Sequence, residues 1–184
     1  MTTRRDALKF SLAAATLLAA RPSHLWAGDT AGPLVTRAIP RSGQRIPVVG
    51  LGSSATFSQL AGAGEVAALR EVFAEMARLG GTVFDTAPSY GASEQVAGDI
   101  ARELKLTESM FWATKVNVAG RGGGAADPAA ARAQIEASFA KLGKQVLDLI
   151  QVHNLGDVPV QLGILKELRE AGRVRHIGVT TPFP

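Results

Sequence analysis

Residues 110–152 read MFWATKVNVAGRGGGAADPAAARAQIEASFAKLGKQVLDLIQV. Two short apolar runs, Met110 to Lys115 and Leu147 to Val152, enclose a segment that carries Ile135, Phe139 and Leu142 at helical spacing. Asp127-Pro128 gives that segment an N-cap side chain and a first-turn proline, and Gly143 gives it a left-handed stop. A strand, a helix and a second strand in this order imply a right-handed crossover between parallel strands.

The same unit repeats on both sides. Upstream, Thr82 to Asp85 is a strand, and its helix begins near Ser93, an N-cap candidate, with Val96, Ile100 and Leu104 inward. Further upstream, Val48 to Gly52 is a strand. A Gly-rich loop follows, then a helix from about Glu65 to Leu79 whose apolar face is Val66, Leu69, Val72, Phe73, Met76 and Leu79, ended by Gly80-Gly81. Downstream, a helix from about Val158 to Ala171 stops at Gly172, and Arg175 to Val179 is a fifth strand. Two extended runs around Ser42-Gly43 predict a hairpin within 34–49. The fold class is therefore α/β with a parallel sheet. Periodicity alone leaves open whether that sheet is doubly wound or a barrel, but residues 50–55, Gly-Leu-Gly-Ser-Ser-Ala, lack the third glycine of a dinucleotide fingerprint.

At 184 residues and 46% hydrophobic content, the chain is long enough for one domain with a substantial core. Its net charge of +4 is concentrated at the start: Arg4, Arg5, Lys9 and Arg21 against Asp6 carry +3, which leaves +1 for everything after residue 27. A nearly neutral domain gives no electrostatic reason to expect a nucleic-acid partner. The absence of cysteine excludes disulfides and thiolate chemistry, and no metal site is expected.

The first residues, Thr3-Arg4-Arg5-Asp6-Ala7-Leu8-Lys9 and then the run Phe10 to Ala20, resemble a twin-arginine signal peptide. As a helix the run spans about 16 Å, short of the roughly 30 Å hydrocarbon core, so no stable membrane anchor is expected. The resemblance implies a signal over 1–27, cleaved near Ala27, a domain over 28–184, the twin-arginine export machinery as a partner, and a periplasmic or otherwise exported location.

Three of the apolar strands end in a charged or titratable residue: Asp85, Lys115 and His153. Tyr90 lies in the loop after Asp85. Each has an ordinary structural reading by itself, but in a parallel barrel the carboxyl ends of the strands form the active site, where the four converge. A phenol donates a proton poorly to a carbonyl at neutral pH unless its phenolate is stabilised. Lys115 can stabilise it, Asp85 balances the lysine, and His153 can orient a carbonyl oxygen. Arg121 with Gly122 to Gly124 reads as a loop, and His176 as a histidine at the surface edge.

The blocks FDTAPSYG at 84–91, SEQVAG at 93–98, ATKV at 113–116, DLIQVHN at 148–154 and GRVRHIGVTT at 172–181 resemble the aldo-keto reductases. That resemblance implies a (β/α)8 TIM barrel, of which this C-terminally incomplete chain holds about the first five β/α units. It also implies an oxidoreductase that reduces an aldehyde or ketone, or runs the reverse, with NADP(H) as cofactor. Asp85, Tyr90, Lys115 and His153 become the catalytic tetrad, with Tyr90 as general acid. Thr180 and Thr181 stand where the family usually has Ser-Asn at the nicotinamide, and Gly52 and Ser53 join them as cofactor-binding residues. Two other readings compete: a non-catalytic exported partial barrel, binding protein or relic, and a barrel aldolase with Lys115 as Schiff base. The second leaves Tyr90 and His153 without a joint role.

Overall fold

The structure is a computed structural model that describes residues 32–119 and 124–181. The segment that resembles a twin-arginine signal lies outside the described residues, as does most of the Arg121 loop.

The chain enters through a hairpin of β1 (Thr36–Ala38) and β2 (Arg45–Pro47), antiparallel with Thr36 opposite Pro47. Gly43 takes a φ of 71°, which the turn needs and glycine adopts without strain. Then come β3 (Leu51–Gly52), α1 (Thr56–Ala63), α2 (Val66–Arg78), β4 (Val83–Asp85), α3 (Ser93–Glu103) and β5 (Phe111–Val116). The remainder is α4 (Pro128–Leu142), β6 (Leu147–Val152), a short 3-10 turn (His153–Leu155), α5 (Val158–Glu170) and β7 (Val174–Val179). Asp127 caps α4 as the sequence predicts, its side chain accepting from Ala129 N at 2.9 Å.

Strands β3 to β7 form one parallel sheet in the order of the sequence. A doubly wound sheet reverses strand order at a switch point, whereas here each new strand is laid beside the last. The sheet is thus part of a (β/α) barrel, and all its strands end on the same side.

Successive residues of β5 serve opposite faces. Trp112, Thr114 and Val116 face the helices, and Lys115 faces the other side, toward Asp85. Behind the sheet, Phe84 is edge-on to Trp112 at 5.6 Å and to Phe57 at 5.2 Å, and lies 5.0 Å from Phe73. Truncating a buried aromatic of this kind to Ala typically costs about 3–5 kcal/mol, so this cluster anchors the first half of the sheet.

Three local expectations change. Residues 56–63, read as part of a Gly-rich loop, form α1, because Phe57 and Ala61, four apart, both bury against the core. Ser93 is the first residue of α3, and Ala92 occupies the N-cap position. Of the predicted face of α2, Leu69 and Phe73 are buried and Met76 packs against the core, but Val66, Val72 and Leu79 are exposed.

Candidate active site

Parallel pairing fixes the strand ends relative to one another. Gly52 pairs with Asp85, Asp85 with Ala113, and Lys115 with Gln151. The residues just past these positions therefore share one rim.

Lys115 is the buried centre of that rim, 5% exposed. Its Nζ donates to Asp85 Oδ1 at 2.7 Å and to the carbonyl oxygen of Thr86 at 2.9 Å. An ammonium has three N–H donors, so one stays beyond those two. Nζ also lies 5.1 Å from the centroid of the Tyr90 ring. That ring meets the His153 imidazole edge-on, with centroids 5.8 Å apart, and Ser89 Oγ is 3.4 Å from His153 Nδ1. All four residues read from the sequence as catalytic thus gather within one cluster. Asp85 keeps 43% of its side chain exposed, so the pair is open to solvent on the carboxylate side.

The four residues assigned to the cofactor have different surroundings. Gly52 is exposed at the end of β3, and a Cβ placed on it would meet no atom within 4 Å. Thr181 is exposed beyond β7. Thr180 is partly buried and pins the turn after His153: its Oγ1 accepts from Asn154 N at 3.2 Å and its carbonyl accepts from Leu155 N at 3.1 Å. That turn holds Asn154 and Leu155 at φ of 56° and 57°, which is unusual for leucine and persists because Thr180 holds both amides. Ser53 is fully buried, and both its amide and its hydroxyl donate to Asp85 O at 3.0 Å. Its side chain braces the end of β4.

Sequence reasoning missed the contribution of Thr86. It holds Lys115 through a backbone carbonyl, which no side-chain pattern reveals, and its own buried Oγ1 has no hydrogen-bond partner. Ser89 precedes Tyr90 in the sequence with nothing local to mark it, and only its distance to His153 gives it meaning. His176 does sit on β7, the last strand in the described sheet, but it is only partly exposed: its ring stacks on Phe111 at 6.2 Å and its Nε2 is buried without a partner. An apolar groove of roughly 450 Å³ lies elsewhere, between the hairpin, β3 and α2, and no residue of the rim cluster lines it.

Residues 48–182 match the aldo/keto reductase family, and the chain belongs to that family. L-galactose dehydrogenase of Arabidopsis thaliana is 32% identical over 158 residues, covering 78% of this chain and 47% of that protein. A solved aldo/keto reductase of Klebsiella pneumoniae in complex with NADP and acetate superposes with a TM-score of 0.54 at 28% identity, over 74% of this chain and 46% of that one. A structure described as a putative 2,5-diketo-D-gluconic acid reductase B gives a TM-score of 0.61 at 30% identity, over 79% and 48%. The chain spans about half the length of each.

Proposed function

We propose that this protein is an NADP(H)-dependent oxidoreductase that interconverts a small carbonyl compound and its alcohol, with Tyr90 as the proton donor during reduction. The observation that carries this reading is the placement of a phenol beside a buried ammonium whose carboxylate partner is already engaged. When the Tyr90 hydroxyl releases its proton, Lys115 stabilises the oxyanion left behind, and two fixed acceptors prevent the lysine from swinging away. His153, edge-on to the phenol, can donate to the same carbonyl oxygen and orient it.

A Schiff-base role for Lys115 fits less well. Its Nζ is engaged by Asp85 and the Thr86 carbonyl, and such a role leaves Tyr90 and His153 without a joint part in the chemistry.

The rim suits a nicotinamide cofactor. The end of β3 at Gly52 is open to close approach, Thr181 lies exposed just beyond β7, and Thr180, whose Oγ1 accepts from Asn154, retains its own proton to donate. The cofactor supplies the hydride. Thr180, Thr181 and Gly52 would hold it, and Ser53 would act indirectly by fixing Asp85. The relative solved with NADP supports this choice of cofactor.

Tyr90→Phe tests the reading. NADPH oxidation by an aldehyde panel should fall about 10²–10⁴-fold, while NADPH affinity measured by fluorescence stays within about twofold. A variant that keeps its turnover at neutral pH would refute Tyr90 as the acid. The leader motif supports a further part of the proposal, delivery across the membrane by the twin-arginine machinery. Replacing Arg4 and Arg5 by lysines should retain the protein in the cytoplasmic fraction.

A further inference from the structure

The SEQVAG block at 93–98 takes no direct part in the rim cluster, yet Ser93 and Glu94 are among the most buried polar side chains, Glu94 at 1% exposure. A carboxylate buried this deeply is costly unless its charge and lone pairs are met. They are met from the helix side of the sheet. Oε1 accepts from Thr114 Oγ1 at 2.7 Å, and Oε2 lies 3.3 Å from Lys141 Nζ on α4. Glu94 is also the second residue of α3, at the positive end of the helix dipole. Lys141 comes within reach because α3 and α4 cross at Gly98, where a Cβ would stand 2.0 Å from the Lys141 carbonyl oxygen. Well-packed apolar residues can be as stable as a buried ion pair, so stability alone gives no reason for a carboxylate here.

The connectivity supplies one. Thr114 precedes Lys115 on β5, and the two side chains leave opposite faces of the sheet. Tyr90 lies four residues before Glu94 in a tight turn, with Tyr90 N donating to Ala87 O at 3.0 Å and Ser93 N to Tyr90 O at 3.1 Å. The bond from Thr114 to Glu94 therefore closes a circuit running from the phenol through the start of α3 to the residue beside the ammonium. A second circuit runs from Ser93 Oγ to Ser53 O at 3.3 Å, and from Ser53 to Asp85 O.

We propose that Glu94 is a positioning residue, which grips Thr114 from behind the sheet and thereby sets the Tyr90 ring against Lys115 and His153, with Lys141 balancing its charge. The inference rests on Tyr90 as proton donor for its functional meaning, but its geometry can be tested independently. Tyr90 is the sole tyrosine of the chain, so its ring signals need no assignment. In the full chain, a nuclear Overhauser contact between the Tyr90 and His153 rings reports the placement whether or not the protein turns over.

Thr114→Val keeps the side-chain shape and the Glu94–Lys141 pair but removes the hydroxyl. It should weaken the ring contact severalfold and lower kcat about tenfold or more with KM little changed, as expected for a misplaced proton donor. Glu94→Gln still accepts from Thr114 and should preserve both contact and kcat, whereas Glu94→Leu should lose both. The proposal is overturned if Thr114→Val retains the ring contact, or if Glu94→Gln loses it as fully as Glu94→Leu. Should Tyr90→Phe prove fully active, the general-acid reading fails while the ring contact still decides this one.

Discussion

The carboxyl-end rim of the sheet and the groove along its first edge both leave surface uncovered, and their chemistry is opposite. On the rim, donors and acceptors are already engaged with one another: Lys115 with Asp85 and Thr86, Ser53 with Asp85, Thr180 with Asn154. The groove is lined by Val48, Val49, Leu51, Val72 and Met76, with Val49 76% and Val72 47% exposed. A set of fixed polar groups around an opening suits a small ligand that must be oriented. An apolar strip beside the edge of β3 that no strand pairs among the described residues suits another protein surface. The volume of the groove is therefore a poor guide to where the chemistry lies.

The largest expected effect is on the rim. Lys115→Met fills a similar volume but removes the charge proposed to steady the phenolate, and turnover should fall about 10²–10⁴-fold. The buried location of Lys115 first suggests a heavy structural penalty as well, because stranding a dry carboxylate costs roughly 3–5 kcal/mol. Asp85, however, is 43% exposed and can rehydrate, so the stability loss should be nearer 1 kcal/mol. Denaturant midpoints measured beside kcat separate the two. A loss of several kcal/mol would mean that the pair is dry and that the rim contributes to the fold as much as to the chemistry.

The groove should behave in the opposite way, with association changing and chemistry left alone. Residues 28–184 expressed by themselves are expected to self-associate through β3 and the apolar strip. Val49→Lys combined with Val72→Lys removes two side chains worth about 1.5 kcal/mol each on burial, so the dimer should weaken on the order of a hundredfold. Light scattering across a dilution series reads this directly. Association unchanged by the two lysines would place the contact elsewhere, with the outer edge of β7 the next surface to test.

The same contrast explains what could be read in the sequence. Asp85, Lys115 and His153 were legible because a polar residue closing an apolar strand breaks a strong local pattern, and parallel pairing does the rest. Asp127 and Gly143 were legible because caps depend on one or two neighbouring residues. The exposure of Val66, Val72 and Leu79 was not, since helical periodicity identifies an apolar face without saying whether anything covers it. The hold of Thr86 on Lys115 passes through a carbonyl that every residue has. Ser93 looked like a cap because serine favours that position, yet its hydroxyl reaches Ser53, 40 residues away. Sequence order alone also could not choose between a barrel and a doubly wound sheet. The unbroken run from β3 to β7 could.

The smallest effect should come from Gly52, which stands where rim and groove meet, one residue past Leu51 of the groove wall. Its Cβ position is empty of protein atoms, and its φ does not lie in the left-handed region. Gly52→Ala should therefore cost the fold no more than about 0.5 kcal/mol, and the reduced freedom of the unfolded chain can make the change favourable by a similar amount. A methyl group there projects into the space proposed for the cofactor, where close backbone approach is the reason to have a glycine. NADPH affinity should consequently weaken severalfold while the melting temperature of the free protein hardly moves. If affinity is unchanged as well, Gly52 is only a strand end, and the cofactor's place on the rim shifts toward Thr180 and Thr181.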